Sequence, residues 1–90
     1  MPTHHILFYD YVPDIAERRA PFREAHLGRI AAEREEGRIV LAGALGDPPR
    51  GAAIVFRDMD PEEIEAFAAG DPYVEAGLVT GHRIEVWALV

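Results

Sequence analysis

The chain has 90 residues, of which 49% are hydrophobic and 28% charged, which suits one globular domain and is too short for two. It contains no Cys, Ser, Lys, Asn or Gln. Disulfides, thiolate nucleophiles, serine triads and lysine Schiff bases are therefore excluded. Any catalysis has to come from His, carboxylates, Arg, Tyr and backbone groups, which favours acid–base chemistry.

The charge balance is strongly acidic, with sixteen Asp and Glu against nine Arg and a net charge of −7. A nucleic-acid-binding protein needs surplus cations to displace phosphate counterions, and this chain has the opposite balance. No apolar run approaches the length of a membrane span, and residues 1–15 lack the features of a signal peptide. We therefore expect a cytoplasmic protein that binds neither nucleic acid nor a membrane.

The first half of the chain predicts a strand, a short turn and a long helix. Residues 3–11 are rich in aromatic and branched side chains and stop before a proline, which is typical of a strand. A short turn at 14–20 precedes the main helix, which has Pro21 near its first position. We expect this helix to end at Glu36, because Gly37 is a natural left-handed C-cap.

The second half predicts two strands, a helix and a last strand. Residues 39–45 and 52–57 are apolar and are separated by a turn dense in Gly and Pro. Asp60 is the predicted N-cap of the second helix, which ends at Gly70. After a short turn, residues 79–89 predict the fourth strand.

The resulting order, β-α-β-β-α-β, predicts an α+β, ferredoxin-like fold with two helices on one face of a four-stranded antiparallel sheet. The other face of such a sheet is polar in a monomer. Here the strands are apolar on both sides: Leu7 and Tyr9 alternate with Ile6 and Phe8. A second apolar face implies a partner, most simply another copy. We therefore expect a homodimer through the sheet face.

One histidine lies in the apolar stripe of the main helix. Phe22, His26 and Ile30 are spaced at i, i+4 and i+8, so His26 faces the sheet, while Arg29 lies toward water. His26 is either a hydrogen-bonded core residue or an acid/base group, since imidazole titrates near neutrality. Arg23, one turn earlier, either binds an anionic group beside it or pairs with a surface carboxylate.

Asp71 lies between a helix-ending glycine and Pro72, which favours an extended conformation for the residue before it. The carboxylate is either the N-cap of the short turn at 72–76 or part of a functional site. Both roles are compatible, because a carboxylate has two oxygens and several acceptor positions.

The remaining histidines, His4, His5 and His82, do not form a recognisable metal motif. Adjacent strand residues point to opposite faces, so only one of His4 and His5 can share a face with His82. The chain also has no dinucleotide fingerprint. We expect no metal and no organic cofactor.

Several short motifs occur in one order along nearly the whole chain: REAHL at 23–27, EGRI at 36–39, AG at 42–43, DPYV at 71–74 and AG at 76–77. Together they resemble the YciI-like family. The resemblance implies a ferredoxin-like subunit that pairs as a dimeric α+β barrel, with a pocket beside a helix histidine and a loop aspartate, here His26 and Asp71. Relatives in this barrel group resemble muconolactone isomerases and small lyases or dehydrochlorinases. Members often carry Gly-Pro where this chain has Gly43-Ala44, which changes the pocket wall.

Our leading hypothesis is an enzyme site in which His26 is a general acid/base and Asp71 orients its ring and supports its charged form. Arg23 and Tyr73 would bind an anionic or enolic oxygen of a small anionic or phenolic substrate. Proton abstraction followed by isomerisation or elimination needs neither a nucleophile nor a cofactor. The first alternative is a non-catalytic small-ligand-binding or regulatory homodimer. The second is a structural dimer with a buried His–Asp pair, and the fold does not choose among the three.

Overall fold

Two long helices and four antiparallel strands alternate in the order β-α-β-β-α-β in the computed structural model, which describes residues 2–90. A short helix follows β1 and another follows the second long helix. In chain order, the elements are β1 (His4–Tyr11), α1 (Ile15–Arg18), α2 (Ala20–Glu35), β2 (Ile39–Leu45), β3 (Gly51–Arg57), α3 (Pro61–Ala69), α4 (Pro72–Glu75) and β4 (Val79–Val86). The predicted α+β, ferredoxin-like fold class is confirmed.

The sheet has the strand order β2-β3-β1-β4, so β1 and β3 lie in its centre. Leu7 of β1 pairs with Ile54 of β3 on one side and with Ile84 of β4 on the other. These residues share the face that the helices cover, because successive strand residues alternate between faces. Leu7 and Ile54 are almost fully buried, together with Ile64 of α3. The core therefore lies between this face and α2 and α3.

The long helices begin and end close to the predicted positions. Gly37 follows α2 with a φ of 77°, the left-handed conformation expected of a C-cap glycine. At the start of α3, the Asp60 backbone N–H donates to Glu63 Oε1 at 3.1 Å, one half of a capping box. No helix within residues 2–90 combines the length and the apolar character that a membrane crossing requires.

The last strand is shorter than predicted: β4 ends at Val86, not at residue 89. Within residues 2–90 its only neighbour in the sheet is β1, and Val86 pairs with His5 near the start of that strand. The Trp87 backbone N–H still donates to the His4 carbonyl at 2.9 Å. Because β1 begins at His4, the apolar residues at 88–90 have no strand residue opposite them within residues 2–90 and do not continue the strand.

Arg29 does not lie toward water as expected. Its guanidinium donates from Nη1 to the Phe67 carbonyl at 2.7 Å and lies 4.5 Å from the centre of the Phe67 ring. Phe67 belongs to the last turn of α3, whose carbonyls have no partner within the helix. Arg29 therefore joins α2 to the end of α3, directly before the loop that carries Asp71.

The sheet face opposite the helices is apolar over β2, β3 and β1 and carries a shallow groove of about 280 Å³, whereas β4 presents the ion pair Arg83–Glu85 on this face. Ile6, Phe8 and Val55 lie in the groove, with Leu41 and Trp87 at its edges. Leu41 is 61% exposed and Trp87 is 41% exposed, both high values for side chains of this kind. The expected pairing of two copies through this face stays a prediction.

Candidate functional site

Asp71 occupies the junction between α3 and α4 and is 1% exposed. Its backbone is extended, with φ −71° and ψ 126°, as expected before a proline. Asp71 Oδ1 accepts a hydrogen bond from the Tyr73 backbone N–H at 2.9 Å, which makes Asp71 the N-cap of α4. The local fold of this loop thus fixes the direction of the carboxylate.

The same carboxylate contacts His26, although 45 positions separate the two residues in the chain. His26 Nδ1 lies 2.8 Å from Asp71 Oδ1 and 3.0 Å from Oδ2. An ionised carboxylate only accepts hydrogen bonds, so Nδ1 carries the hydrogen and Nε2 is left as an acceptor. Nε2 makes no hydrogen bond within residues 2–90. The capping contact and the histidine contact of Asp71 therefore coexist.

Tyr9 of β1 makes a further contact with this carboxylate and was not among the residues predicted for the site. Its hydroxyl donates to Asp71 Oδ2 at 2.9 Å. Burial raises the pKa of Tyr9 far above its ordinary value, and the nearby Asp71 charge raises it further, so the phenol stays a donor. The available sequence signal was strand parity, which places Tyr9 on the same face as the core residue Leu7.

The Tyr73 ring packs against a face of the His26 imidazole. Its ring stacks on His26 with the ring centres 3.7 Å apart and the planes 6° from parallel. Burial raises the pKa of Tyr73, while the positive charges of Arg23 and Arg19 act in the opposite direction. Tyr11 packs edge-on against Tyr73 with the ring centres 6.0 Å apart. Hydrogen bonding and stacking together fix the orientation of the His26 ring.

A cleft of about 480 Å³ opens beside His26, between α2 and the β2 side of the sheet. It exists because Ala42, Ala44 and Ala52 form its floor where larger side chains would fill the space. Its walls are lined by Tyr11, Arg19, Arg23, His26, Leu27, Ile30, Ala31, Arg34, Gly43, Ile54 and Tyr73. Of the four residues predicted for the site, His26, Arg23 and Tyr73 line the cleft, and Asp71 lies behind His26.

The cleft is cationic although the chain has a net charge of −7. Arg19, Arg23 and Arg34 line it, whereas no Asp or Glu of the described chain does. Within residues 2–90, none of these three arginines has a carboxylate within salt-bridge distance. The predicted alternative for Arg23, a surface ion pair, is therefore not what the structure contains. Several unpaired cations that line one concave site favour the binding of anionic groups.

The histidines weighed as metal ligands lie apart from this cleft. His82 Nε2 contacts Glu65 Oε2 at 2.8 Å, joining β4 to α3. His5 Nδ1 is buried and has no hydrogen-bond partner among the residues that the structure describes. Across residues 2–90, no three His, Asp or Glu side chains are grouped as a metal ion would require.

Comparison with known proteins places the chain in a family. A family model described as the YCII-related domain matches residues 3–88. The chain belongs to this family. An uncharacterised YCII relative from Haemophilus influenzae is 30% identical over 84 residues, covering 83% of this chain and 86% of the relative. Protein YciI of Escherichia coli is 30% identical over 83 residues, covering 82% and 85% respectively. The resemblance found in the sequence motifs is confirmed.

Solved structures show the same fold at lower sequence identity. The YCII chain is similar to 5-chloro-2-hydroxyhydroquinone dehydrochlorinase (TftG) of Burkholderia phenoliruptrix, solved in complex with 2,5-dihydroxybenzoquinone. The TM-score is 0.81 at 19% identity, covering 97% of this chain and 95% of the other. A protein of Shewanella oneidensis gives a TM-score of 0.58 at 17% identity, covering 96% and 88%.

Proposed function

We propose that this YCII-family protein is a small-molecule enzyme that uses His26 and Asp71 as an acid/base pair. The main support for this proposal is the buried contact of 2.8 Å between His26 Nδ1 and Asp71 Oδ1, beside an arginine-lined cleft. The proposed reaction class is isomerisation or elimination on a small anionic or phenolic substrate. TftG, a dehydrochlorinase with the same fold, supports the elimination branch.

In the first step, His26 Nε2 accepts a proton from a substrate carbon or hydroxyl group. When the proton comes from carbon, the electron pair of the C–H bond is delocalised onto an adjacent carbonyl oxygen, which becomes an enolate oxygen. When the proton comes from a hydroxyl group, the pair stays on that oxygen as a phenolate. Arg23 is placed to bind that oxygen, since it lines the same cleft. The imidazolium formed is stabilised by the Asp71 carboxylate, with which it shares the Nδ1 hydrogen.

The second step differs between the two reactions. In an isomerisation, Nε2 returns the proton to a different carbon as the electron pair moves back from the oxygen. In an elimination, the electron pair expels a leaving group as an anion, and the proton on Nε2 passes to that anion or to water. Both restore neutral His26, and neither needs a covalent bond to the protein.

The first experiment detects proton abstraction without knowledge of the product. A library of small carboxylic and phenolic compounds is screened by thermal shift, and the binders are incubated with the protein in D₂O. We expect proton NMR to show exchange of an acidic C–H with solvent deuterium for at least one binder. Elimination releases an anion, which ion chromatography detects. Binding without exchange or turnover would instead favour the ligand-binding alternative.

The variants His26→Ala and Asp71→Asn then test the pair. Each is expected to lower the exchange rate by about 10²–10⁴-fold, the usual contribution of a positioned acid/base group. The double variant should be little worse than either single one, because groups that act as a unit are non-additive. His82→Ala is the matched control, since His82 contacts Glu65 outside the cleft. Full activity in the Asp71→Asn variant would contradict the acid/base pair and would leave Asp71 with its capping role alone.

A further inference from the structure

We propose that the cleft selects elongated ligands with an apolar body and an anionic group at each end, one bound near Arg23 and the other by Arg34. This names the ligand class of the same cleft and rests on the proposed function only for the identity of the reacting end. The charges along the cleft are concentrated at its two ends.

The helix α2 presents one continuous stripe to the cleft. Arg19 and Arg23 lie toward its start, beside the His26 and Tyr73 rings, and Arg34 lies in its last turn. Arg34 lies eleven positions after Arg23, which at the helical rise corresponds to about 16 Å along the axis. Long, flexible side chains shorten the distance between the two guanidinium groups, so the cleft has two separate cationic ends.

Between these ends the cleft is apolar. Leu27, Ile30 and Ala31 of α2 face Ile54 and the alanines of the floor. Leu27 is 45% exposed, so an apolar ligand body would remove part of its surface from water. An anionic group placed in this middle section would lose its hydration without gaining a cation. The lining therefore favours charge at the ends and hydrocarbon between them.

Arg34 has a simpler explanation, namely that a cation in the last helical turn stabilises the helix dipole. Stabilisation of the helix dipole does not require Arg34 to line the cleft. It also does not require Arg34 to lack a carboxylate partner. Arg38, at the same end of the helix, does pair with Glu33. A volume of about 480 Å³ is also within the range of pockets for drug-sized ligands, which leaves room beyond a single ring at the His26 end.

The test compares matched probes by isothermal titration calorimetry. The long pair is para-biphenylcarboxylate and the para,para′-dicarboxylate, and the short pair is benzoate and terephthalate. We expect the long dicarboxylate to bind more tightly than its monocarboxylate, by up to about fivefold, since a second partly exposed ion pair forms. The short pair should show no such difference, because terephthalate does not span the cleft. Added salt should reduce the advantage of the long dicarboxylate.

The variant Arg34→Gln should lower the affinity for the long dicarboxylate more than the affinity for the long monocarboxylate and so abolish the advantage of the long dicarboxylate. Arg57→Gln is the matched control, because it removes one exposed positive charge far from the cleft lining. Equal affinities within the long pair, or an unchanged advantage in Arg34→Gln, would overturn the proposal. Calorimetry needs no turnover, so a failure of the His26 chemistry would show in the exchange assay and not here.

Discussion

The Tyr9 hydroxyl lies 2.9 Å from Asp71 Oδ2, a contact between the central strand and a loop 62 positions later. Asp71 thereby receives hydrogen bonds from Tyr9, from the Tyr73 backbone N–H and from His26 Nδ1. A buried carboxylate is costly unless it is hydrogen-bonded, and these donors compensate for its removal from water. Tyr9 is therefore a positioning residue for the pair: it holds Asp71 and does not line the cleft.

Replacing Tyr9 by Phe should lower the free energy of unfolding by about 1–3 kcal/mol, because a buried hydrogen bond to a charged acceptor is lost. Urea unfolding measures the effect. Tyr11→Phe is the matched control, since the Tyr11 hydroxyl makes no hydrogen bond within residues 2–90, and we expect a change below about 0.5 kcal/mol. Equal losses in both variants would mean that the Tyr9–Asp71 contact contributes nothing specific.

Local sequence patterns were sufficient to predict the order of the strands and long helices, because those patterns record propensity and caps. They did not predict the end of β4, which depends on where its neighbour β1 begins. The family resemblance implied one pocket beside His26 and Asp71 and led to the hypothesis that they act as a pair, but no local sequence pattern shows that the two side chains touch. Arg34 could have been found from α2 periodicity, since it lies on the stripe of Arg23 and Leu27.

Asp71→Asn should change the tautomer of His26 while the fold is retained, since Asn is as good an N-cap as Asp. The Asn amide can donate to Nδ1, so the ring hydrogen is no longer restricted to that nitrogen. NMR of nitrogen-labelled histidine measures the tautomer, and a spectrum of His26→Ala assigns the signals. We expect the hydrogen on Nδ1 in the unmodified protein and a shift toward Nε2 in the variant. An unchanged tautomer would contradict the orienting role.

Arg29→Met should lower the free energy of unfolding by about 1–2 kcal/mol, because the Phe67 carbonyl loses a charge-assisted donor at the end of α3. Met keeps most of the apolar length of the side chain, so the loss reports on the guanidinium. Thermal or urea unfolding measures it, with Arg18→Met as the control on an exposed arginine. Similar effects at both positions would show that the contact between α2 and α3 does not depend on Arg29.

The three tyrosines of the chain predict a loss of stability at alkaline pH. Burial raises the pKa of Tyr9, Tyr11 and Tyr73 above the ordinary value of 10.0 in the folded protein. The folded state therefore binds these protons more tightly than the unfolded state. The contribution of these tyrosines to the free energy of unfolding is fully present below about pH 10. It falls as the pH rises above that value, because the tyrosines of the unfolded chain ionise first and favour unfolding.

Urea unfolding between about pH 9 and pH 11 should show this fall, and tyrosinate absorbance should stay low at pH 10 in the native protein. In urea, the unfolded chain should titrate with its midpoint near the ordinary value. Half-maximal tyrosinate absorbance at pH 10 in the folded protein would show that these phenols are not buried as described.

We also propose that two copies pair through the apolar sheet face, the groove that contains Phe8 and Val55 and is bordered by Leu41 and Trp87. Light scattering at micromolar concentration should give twice the mass of one chain. Trp87 is the single tryptophan, and its 41% exposure should fall on pairing, so its fluorescence should shift to the blue as concentration rises.

Leu41→Glu places a charge in the interface, where burial without a partner is costly, and should yield monomers. Val40→Glu is the control, because Val40 is on the same strand, 45% exposed and outside the groove. Far-ultraviolet circular dichroism confirms that both variants fold, since each replaces an exposed side chain. A monomeric mass for the unmodified protein, or equal dissociation of both variants, would rule out pairing through this face.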